Sequence, residues 1–304
     1  MSSSADIEKR ALPVLVAASS RAYALVDSGR GRKLERYGRY VFDRPEPQAL
    51  WSPLHSPDLW SKSDAIFKAE GDEDGEGGKW RTHSALPETW PVELCGVQLL
   101  CRLMNFRHLG LFPEQVPHWL WLIERVRATR GEPPRVLNLF AYTGAASLIA
   151  ARAGAEVVHV DASRKAIGWA KDNQRASGLE AAPIRWIVED ARKFAAREVR
   201  RGRTYHIVLV DPPKFGRGPN GEVWDFFHDT PELLRECERL LAPSESALIL
   251  TSYAIRASTI ALDGLVREIM GTRRGEIESG ELALAEEGSG RLLPTSLYTR
   301  WWSK

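Results

Sequence analysis

The stretch HIVLVDPPKFGRG, residues 206–218, joins a carboxylate, a rigid turn and an aromatic ring. Its apolar, branched residues predict a short buried strand that ends at Asp211. Pro212 and Pro213 cannot donate hydrogen bonds to a sheet, so they end the strand and stiffen the chain that leaves it. The Asp211 carboxylate and the Pro212 carbonyl can accept N–H groups of a flat substrate while the Phe215 ring stacks on its face. The simpler alternative is that Asp-Pro-Pro only terminates a strand.

Three other strand ends carry residues that suit a nucleoside. Gly144 follows the run RVLNLF, where a tight turn lets a ligand approach backbone N–H groups. Asp161 ends the next run and can accept hydrogen bonds from both hydroxyls of a ribose, and Asp190 ends the third and can accept from an adenine amino group. Each carboxylate could instead cap the helix that follows it, with Ser163 as a rival cap beside Asp161. Together the three strand ends favour an adenosine-containing ligand.

These residues can meet only if their strands lie side by side. From residue 135 onward, strand patterns alternate with helical patterns, as in RVLNLF, AASLIAARAG, EVVHVD and SRKAIGWAKDNQRASG. This alternation predicts an α/β fold with a mostly parallel sheet and helices on both faces. The carboxyl ends of such strands share one edge, where ligands bind near the switch in strand order. The final segments EIESGELALAE and SLYTRWW flank a Gly-Ser-Gly-Arg turn and predict an antiparallel C-terminal hairpin.

The 304 residues exceed the usual size of one domain, so two domains are predicted. Residues 1–115 form the predicted smaller, β-rich α+β domain for substrate recognition, and residues 116–304 form the predicted catalytic domain. The run YALVDSGRGRKLERYGRYVFDRP is predicted to be a hairpin around Ser-Gly-Arg-Gly, and CGVQLLCRLMNF one buried strand. The acidic, glycine-rich run EGDEDGEGGK, residues 70–79, is typical of a solvated hairpin tip or a mobile loop.

The composition excludes some classes of protein. With 43% hydrophobic and 27% charged residues, the chain can bury a core and is not disordered as a whole. The formal net charge of +2 neither demands nor excludes an anionic partner. Cys95, Cys101 and Cys237 form no CxxC pair, so we expect reduced thiols, no metal site and a cytoplasmic location. No apolar stretch is long enough to span a bilayer, and the sequence predicts no particular oligomeric state.

The first residues imitate a secretory signal. A basic pair precedes the apolar run ALPVLVAASS, residues 11–20. Asp6 and Glu8 in the supposed basic segment, and Pro13 in the apolar run, argue against this interpretation. We therefore expect no signal peptide here.

One adenosine-containing ligand also accounts for the motif at residues 206–218. In S-adenosylmethionine the sulfonium is a cation whose methyl group is poised for transfer. Aromatic rings and oxygen acceptors such as those of Phe140, Tyr142, Asp211 and Phe215 suit that charge, and a cation–π contact contributes about 0.5–2 kcal/mol. Because methyl transfer is an in-line displacement, catalysis consists mostly of positioning the nucleophile against the methyl group.

From about residue 95 to its end, the chain resembles the class I S-adenosylmethionine-dependent methyltransferases of the bacterial large-subunit rRNA group, the cytosine-C5 and guanine-N7 enzymes. The segments LNLFAYTGAAS, VDASRKAIGWAKDN, EDARKF and DPPKFGRG are similar to that group's motifs and stand in its order. FRHLGLFPEQ, residues 106–115, is similar to the segment just before its catalytic domain. The resemblance implies a Rossmann-like methyltransferase sheet, S-adenosylmethionine as cofactor and RNA as partner.

The resemblance also implies that Asp161 holds the ribose, Asp190 the adenine and the segment 138–144 the methionine part, with Gln115 nearby. The predicted cofactor-binding residues are Gln115, Asn138, Phe140, Tyr142, Thr143, Gly144, Asp161, Ala162, Ser163, Asp190, Ala191 and Asp211. The predicted catalytic residues are Asp211, Pro212 and Phe215. Lys214 is assigned no role.

The chain departs from the cytosine-C5 enzymes where their chemistry needs a cysteine thiolate to attack C6 of the ring. The fifth strand ends in LTSYAIRAS, with Ser252 and Tyr253 where a Thr-Cys-Ser type sequence would supply that thiolate. Cys237 lies within the helical pattern LLRECERLL and is predicted to be packed. Covalent C5 chemistry is therefore disfavoured, and direct transfer to a nitrogen or oxygen is predicted.

An RNA nucleobase is the predicted acceptor, on the strength of the resemblance more than of charge. Arginines cluster at 192–203, 30–39 and 273–274, but helical arginines often form only a solvated face. The N-terminal region does not match the group's small RNA-binding module. Two alternatives stay open: a methyltransferase of small molecules or proteins, and a non-catalytic module that binds an adenosyl ligand or RNA. A nicotinamide oxidoreductase is disfavoured, since the GxGxxG fingerprint is missing.

Overall fold

The computed structural model describes residues 11–70, 77–253 and 255–304. Within these residues the strands are β1 (Val14–Ala17), β2 (Tyr23–Gly29), β3 (Arg32–Tyr37), β4 (Tyr40–Pro45), β5 (Ala65–Ala69), β6 (Gly78–Thr82), β7 (Trp90–Leu94), β8 (Val97–Cys101), β9 (Arg135–Leu139), β10 (Glu156–Asp161), β11 (Ile184–Val188), β12 (Ile207–Val210), β13 (Phe215–Arg217), β14 (Val223–Asp225), β15 (Ala247–Tyr253), β16 (Gly275–Ala285) and β17 (Leu292–Ser303). The helices are α1 (Pro57–Trp60), α2 (Val116–Ala128), α3 (Ala145–Ala153), α4 (Arg164–Ala176), α5 (Ala191–Arg200), α6 (Phe226–Leu240) and α7 (Thr259–Met270), with a 3-10 turn at Pro113–Gln115. Of the predicted acidic loop at 70–79, residues 71–76 lie outside the described residues.

An eight-stranded sheet has the order β1-β16-β17-β15-β12-β9-β10-β11. The five strands from β15 to β11 run parallel to one another, whereas β17 is antiparallel to both β15 and β16. The predicted fold class, a mostly parallel Rossmann-like sheet with an antiparallel C-terminal hairpin, is therefore confirmed. The strand order reverses beside β9, with β10 and β11 on one side and β12 and β15 on the other, so a crevice opens there at the carboxyl ends of the strands.

The apolar strands of the sheet are covered by helices on both faces. Successive side chains of a strand point to opposite faces, and in a parallel sheet both sets are buried. Leu137 of β9 joins one core with Phe194 of α5 and with residues of α6 and α7. Its neighbour Val136 joins the other core with Leu122 of α2 and with Ala150 of α3. This two-sided packing fixes the carboxyl ends of the strands at one edge.

Two elements differ in extent from the sequence prediction. Helix α6 begins at Phe226, well before the predicted pattern PELLRECERLLAP, because Asp225 caps it by accepting a hydrogen bond from the His228 N–H at 3.0 Å. The predicted strand CGVQLLCRLMNF is shorter, since Cys95 and Gly96 have φ values of 50° and 79° and form the turn between β7 and β8. In both cases a local turn or cap decides the boundary, which hydrophobic periodicity does not report.

The residues before α2 also form a five-stranded sheet, β2-β3-β4-β5-β6, and the hairpin β7–β8. The predicted hairpin around Ser-Gly-Arg-Gly is confirmed, since Arg30 and Gly31 have φ values of 51° and 73°, as a two-residue hairpin turn requires. Phe42 and Trp90 stack with ring centroids 5.1 Å apart in a core that continues to Leu148 of α3. The small sheet therefore packs directly against the larger one.

The apolar run that imitates a secretory signal contributes a strand to the large sheet. β1 pairs in parallel with β16, from Val14 opposite Glu281 to Ala17 opposite Leu284. The division into residues 1–115 and 116–304 stays a prediction. Across the ranges that the structure describes, no helix has both the length and the apolar character needed to cross a membrane.

Candidate active site

A cleft of about 460 Å³ opens at the carboxyl ends of β9, β10, β11 and β12. Sites for small molecules usually measure about 300–1,000 Å³. The predicted site residues that line this cleft are Gln115, Phe140, Tyr142, Asp161, Ala162, Ser163, Asp190, Ala191, Asp211 and Pro212. Asn138 and Thr143 line a smaller cavity nearby, Gly144 is buried against α4, and Phe215 lines a neighbouring cleft. The structure thus brings most of the predicted residues together.

The loop from β9 to α3 places three left-handed residues within five positions. Phe140, Tyr142 and Gly144 have φ values of 55°, 48° and 84°. For a residue with a side chain this conformation costs about 1–2 kcal/mol, and such strain concentrates at functional sites. Hydrogen bonds hold the loop: the Tyr142 N–H donates to Asp161 Oδ2 at 2.8 Å, and the Thr143 hydroxyl donates to the Gly110 carbonyl at 2.7 Å.

A buried asparagine on α4 also holds the loop between β9 and α3. Asn173 donates through Nδ2 to the Thr143 carbonyl at 2.8 Å, and its Oδ1 accepts from the Leu100 N–H at 2.8 Å. Gly144 approaches α4 so closely that an added Cβ would lie 3.0 Å from the Cβ of Ala170. A side chain at this position would therefore be crowded by α4 and strained by the positive φ, both of which glycine avoids.

Asp161 connects β10 to the strained loop. Its Oδ2 accepts from the Tyr142 N–H and its Oδ1 from the Ser163 N–H, each at 2.8 Å. The cap of α4 is Ser163, whose hydroxyl oxygen accepts from the Ala166 N–H at 3.2 Å. Burial raises the pKa of Asp161, while the two N–H groups lower it in part. Each carboxylate oxygen has a further lone pair, so Asp161 can still accept two hydroxyl groups from the cleft.

Asp190 caps helix α5, as the alternative interpretation of the sequence held. Its Oδ1 accepts from the Lys193 N–H at 3.0 Å and lies 3.9 Å from Arg192 Nε. The residue is buried and lines the cleft. Since an ionised carboxylate has about four acceptor positions, capping and ligand binding are compatible in one side chain.

Two groups of aromatic rings form part of the wall of the cleft. Phe112 lies 5.8 Å from Tyr142 and 5.0 Å from His108, measured between ring centroids. Phe140 lies 4.8 Å from Trp224, on the side of the Pro212–Pro213 turn. Such a wall suits a ligand that carries a positive charge without N–H donors, since rings attract a cation without needing hydrogen bonds.

Asp211 directly follows the last residue of β12 and lines the cleft. Gln115 donates through Nε2 to Asp211 Oδ2 at 3.4 Å. Burial, and then repulsion from the carboxyl group of Glu114, raise the pKa of Asp211 from 3.8 to about 7. The side chain is still exposed to the open cleft, so water weakens this desolvation until a ligand fills the space. The site therefore holds a carboxyl group that ionises nearer to neutral pH than an ordinary aspartate.

The DPPKF segment leads into a short hairpin that the sequence did not predict. β13 pairs antiparallel with β14, so that Phe215 lies opposite Asp225. The Trp224 indole N–H donates to the Pro213 carbonyl at 2.7 Å and fixes the turn. The Phe215 side chain is 62% exposed, with Lys214 Nζ at 5.5 Å from its ring centroid. The turn thus presents an exposed aromatic ring four residues after Asp211.

Several residues that line the cleft had no role in the sequence prediction. Phe106, His108, Phe112 and Glu114 come from the segment FRHLGLFPEQ, in which the resemblance selected only Gln115. The aromatic and acidic residues around Gln115 were the only feature of the sequence that could have indicated these positions. Because no strand ends in this segment, an argument from residues at strand ends does not include it.

Comparison with known proteins agrees with this geometry. Residues 72–273 match the model of a family described as S-adenosylmethionine-dependent methyltransferase. The chain is 30% identical over 178 residues to ribosomal RNA large subunit methyltransferase K/L of Marinobacter nauticus, which covers 57% of this chain and 23% of that protein. It is also 30% identical over 173 residues to ribosomal RNA large subunit methyltransferase I of Aeromonas salmonicida, which covers 55% of this chain and 41% of that protein. The chain spans less than half the length of these curated relatives.

Solved structures extend the match to nearly the whole chain. A SAM-dependent methyltransferase from Agrobacterium tumefaciens is 52% identical, with a TM-score of 0.92 that covers 97% of this chain and 95% of that one. SMU.776, a methyltransferase complexed with SAH, shares the fold at 18% identity and a TM-score of 0.69, over 93% of this chain and 76% of that one. Because the family match includes the strands and loops that build the cleft, the chain belongs to the S-adenosylmethionine-dependent methyltransferases and uses S-adenosylmethionine as its cofactor.

Proposed function

We propose that this methyltransferase transfers the methyl group directly to a nitrogen, or an oxygen, of a nucleobase in RNA. The observation that carries the proposal is the Asp-Pro-Pro turn at the end of β12: Asp211 and Pro212 line the cofactor-type cleft, and Pro213 lines both this cleft and a second open one. None of the cysteines, all of which the structure describes, lines either cleft. The relatives named as ribosomal RNA methyltransferases support RNA as the source of the acceptor.

The residues of the cleft fit an adenosyl group that carries a cationic sulfur. We assign Asp161 to the ribose hydroxyls and Asp190 to the adenine amino group, since both carboxylates line the cleft and have acceptor positions left. Charge-assisted hydrogen bonds of this kind contribute about 1.5–3 kcal/mol. Phe112, Phe140 and Tyr142 would surround the methionine part and its charge. When bound, the cofactor supplies an electrophilic methyl group.

Asp211 would act as the proton acceptor for the attacking nitrogen. An amino or other N–H nitrogen that takes up a methyl group gains positive charge and then loses its proton, which needs an acceptor. Gln115 occupies Oδ2 of Asp211, which leaves Oδ1 for the acceptor N–H. Burial, and then repulsion from the Glu114 carboxyl, raise the pKa of Asp211, so its carboxylate is a stronger base than that of an ordinary aspartate. The Pro212 carbonyl, held in a rigid turn, would orient a second N–H group.

The arginine clusters give little support to RNA as the substrate. In the arginine cluster at 192–203, Arg192 lies 2.5 Å from Asp229 and Arg201 lies 3.1 Å from Glu198, and Arg197 pairs with Glu189. These partners neutralise much of the cluster. The proposal therefore rests on the relatives and on the planar acceptor platform. We also propose that residues 1–115 contribute substrate recognition, because residues 46–48 line the second cleft.

The test is transfer of a labelled methyl group to total RNA, total protein and small-molecule extracts from a strain that lacks this enzyme. We expect the label in RNA, and within it in ribosomal RNA. Label confined to the protein or small-molecule fraction would replace RNA by that acceptor class. Absence of transfer to every fraction, with cofactor binding intact, would favour a non-catalytic binding module.

Removal of the Phe215 ring should slow methyl transfer without weakening cofactor binding. Base–aromatic stacking contributes about 1–3 kcal/mol, so Phe215→Ala should lower kcat/KM by roughly tenfold to a hundredfold. Phe227→Ala is the matched control, because Phe227 is 55% exposed but lines neither cleft. Calorimetry with S-adenosylhomocysteine and steady-state kinetics give the two readouts. Equal rates for both variants would show that Phe215 does not hold the acceptor.

No covalent enzyme–substrate adduct should form. Burial raises the pKa of the Cys101 and Cys237 thiols, and to a lesser degree that of Cys95, so none is an activated thiolate. Replacement of each cysteine by alanine should leave the rate of methyl transfer unchanged. The Cys101→Ala and Cys237→Ala variants should be less stable, because both side chains are buried. The check is incubation with RNA that contains 5-fluorocytosine, followed by denaturing electrophoresis. A denaturation-resistant adduct that disappears in one alanine variant would contradict the direct mechanism.

A further inference from the structure

A second cleft of about 770 Å³ lies on the other side of the DPPKF turn. Four separate parts of the chain form it: residues 46–48, the turn at 213–215, the end of β15 at 252–253 with residues 255–257 that follow it, and residues 294–297 of β17. Arg107 and Glu281 complete the lining. Pro213, Lys214, Tyr253 and Ser296 line both clefts, so the two spaces are continuous. A ligand in the second cleft can therefore reach the mouth of the cofactor cleft.

Two polar groups on the wall of this cleft lack partners among the described residues. Ser252 is 1% exposed, and its hydroxyl makes no hydrogen bond there. Arg107 donates through Nη2 to the Tyr253 hydroxyl at 2.8 Å, but its buried Nε makes no hydrogen bond there. A buried polar group left without a partner costs about 1–3 kcal/mol. Both residues line the second cleft, so a polar ligand held there is the available partner for them.

The remaining lining defines the chemistry of that ligand. Phe215 offers an exposed ring for a planar group, and Lys214 beside it offers a cation for a phosphate. Glu281, half-buried in the lining of the same cleft, can accept from an exocyclic amino group. A flat ring, an amino group and a phosphate together describe a nucleotide of adenine, guanine or cytosine.

The small N-terminal sheet closes the rim of this cleft. Gln48, in the segment that follows β4, donates through Nε2 to the Pro294 carbonyl of β17 at 3.3 Å. Its side chain is exposed on the cleft rim, and Leu50, two residues later, is 86% exposed and lines neither cleft. The rim can thus be altered at Gln48 without disturbing a core.

From these observations we infer that the second cleft is the acceptor-nucleotide site and that Ser252 and Glu281 select a base with an amino group. The inference rests on the proposed function and adds the class of base and the residues that recognise it. It also assigns residues 1–115 a role in binding the acceptor nucleotide, since residues 46–48 form part of the wall of the acceptor site.

The test uses the full chain saturated with S-adenosylhomocysteine, titrated with AMP, GMP, CMP and UMP by calorimetry. We expect at least one amino-bearing nucleotide to bind in the presence of the first ligand and more tightly than UMP. Ser252→Ala and Glu281→Gln should each raise its Kd by about tenfold, the scale of one lost hydrogen bond. Gln48→Trp should block binding, while the matched change Leu50→Trp leaves it unaltered.

The outcomes separate this inference from the proposed function. Four results would each overturn the inference. They are nucleotide binding that Gln48→Trp does not affect, competition between the nucleotide and S-adenosylhomocysteine, binding of UMP as tight as that of the amino-bearing nucleotides, and no binding by any of the four nucleotides. If RNA is methylated and its KM is the same in Gln48→Trp and Leu50→Trp, the proposed function stands and the inference fails. If amino-bearing nucleotides bind as expected but RNA accepts no methyl group, the cleft assignment stands and the RNA proposal fails.

Discussion

Replacement of Asp211 by Asn is expected to slow methyl transfer by roughly 10²–10³-fold, the range of a lost proton acceptor. The amide has the same shape, so the contact with Gln115 and the Pro-Pro turn are preserved while the basic oxygen is lost. Affinity for S-adenosylhomocysteine, which lacks the sulfonium charge, should change by no more than about twofold, because Asp211 is assigned to the acceptor step. Single-turnover kinetics beside calorimetry with S-adenosylhomocysteine separate the two effects. Asp58→Asn, at an exposed position on α1, is the control.

Asp211→Asn should also change how the rate of methyl transfer depends on pH. The pKa of Asp211 is raised to about 7, so the carboxylate needed for proton transfer is lost as the pH falls through this region. The parental rate should therefore drop below neutral pH, whereas the residual rate of Asp211→Asn should show no such step. A rate step of the same size in the variant would assign the pH dependence to another group.

Asp211→Asn should be more stable to urea than the parent, although it is less active. A carboxyl group whose pKa is higher in the folded than in the unfolded state destabilises the fold as pH rises above its unfolded pKa, and fully so above its folded pKa. Because the Asp211 side chain is exposed to the open cleft, water reduces this cost, and Asp211→Asn removes what remains. The urea midpoint of the variant should therefore be modestly higher than that of the parent at about pH 8 and equal to it below about pH 4. Equal urea midpoints at both pH values would show that the pKa of Asp211 is not raised in the ligand-free protein.

The fold was predictable because its information is local and periodic. Strands such as β9 and β12 are continuous apolar runs, and the helices between them carry clear caps and periodicity, so alternation alone predicts a parallel sheet. Boundaries were less predictable: Asp225 starts α6 ahead of Pro231, and the turn at Cys95 shortens β8. Caps and positive-φ turns depend on single residues whose effect is decided by the surrounding chain.

The site was predictable only where it follows strand ends. Asp161, Asp190 and Asp211 end or follow strands of one sheet, and the structure places all three in one cleft. The wall from Phe106 to Glu114 and the rim at Gln48 come from segments joined to that cleft only by tertiary packing. A raised pKa at Asp211 likewise depends on Glu114, 97 positions earlier in the sequence, and no local pattern encodes such a pair.

Asp161→Ala is expected to weaken binding of S-adenosylmethionine and S-adenosylhomocysteine by about 2–3 kcal/mol, or about 30- to 150-fold in Kd. Two effects add. The variant loses the acceptors for the ribose hydroxyls, and it releases the Tyr142 N–H that Asp161 Oδ2 holds at 2.8 Å. Since Tyr142 is held at a φ of 48°, its loop should relax toward ordinary backbone angles and move its ring in the cleft.

A conservative variant tells these effects apart. Asp161→Asn keeps one oxygen, which can accept only one of the two backbone N–H groups now held at 2.8 Å, so it should bind the cofactor with intermediate affinity. Asp225→Ala is the matched control, because Asp225 also accepts a backbone N–H at a helix start but lines neither cleft. Its loss should cost stability, about 0.5–2 kcal/mol, with cofactor Kd unchanged. If Asp161→Ala binds S-adenosylhomocysteine as tightly as the parent, the carboxylate serves only the loop and the ribose must be held elsewhere.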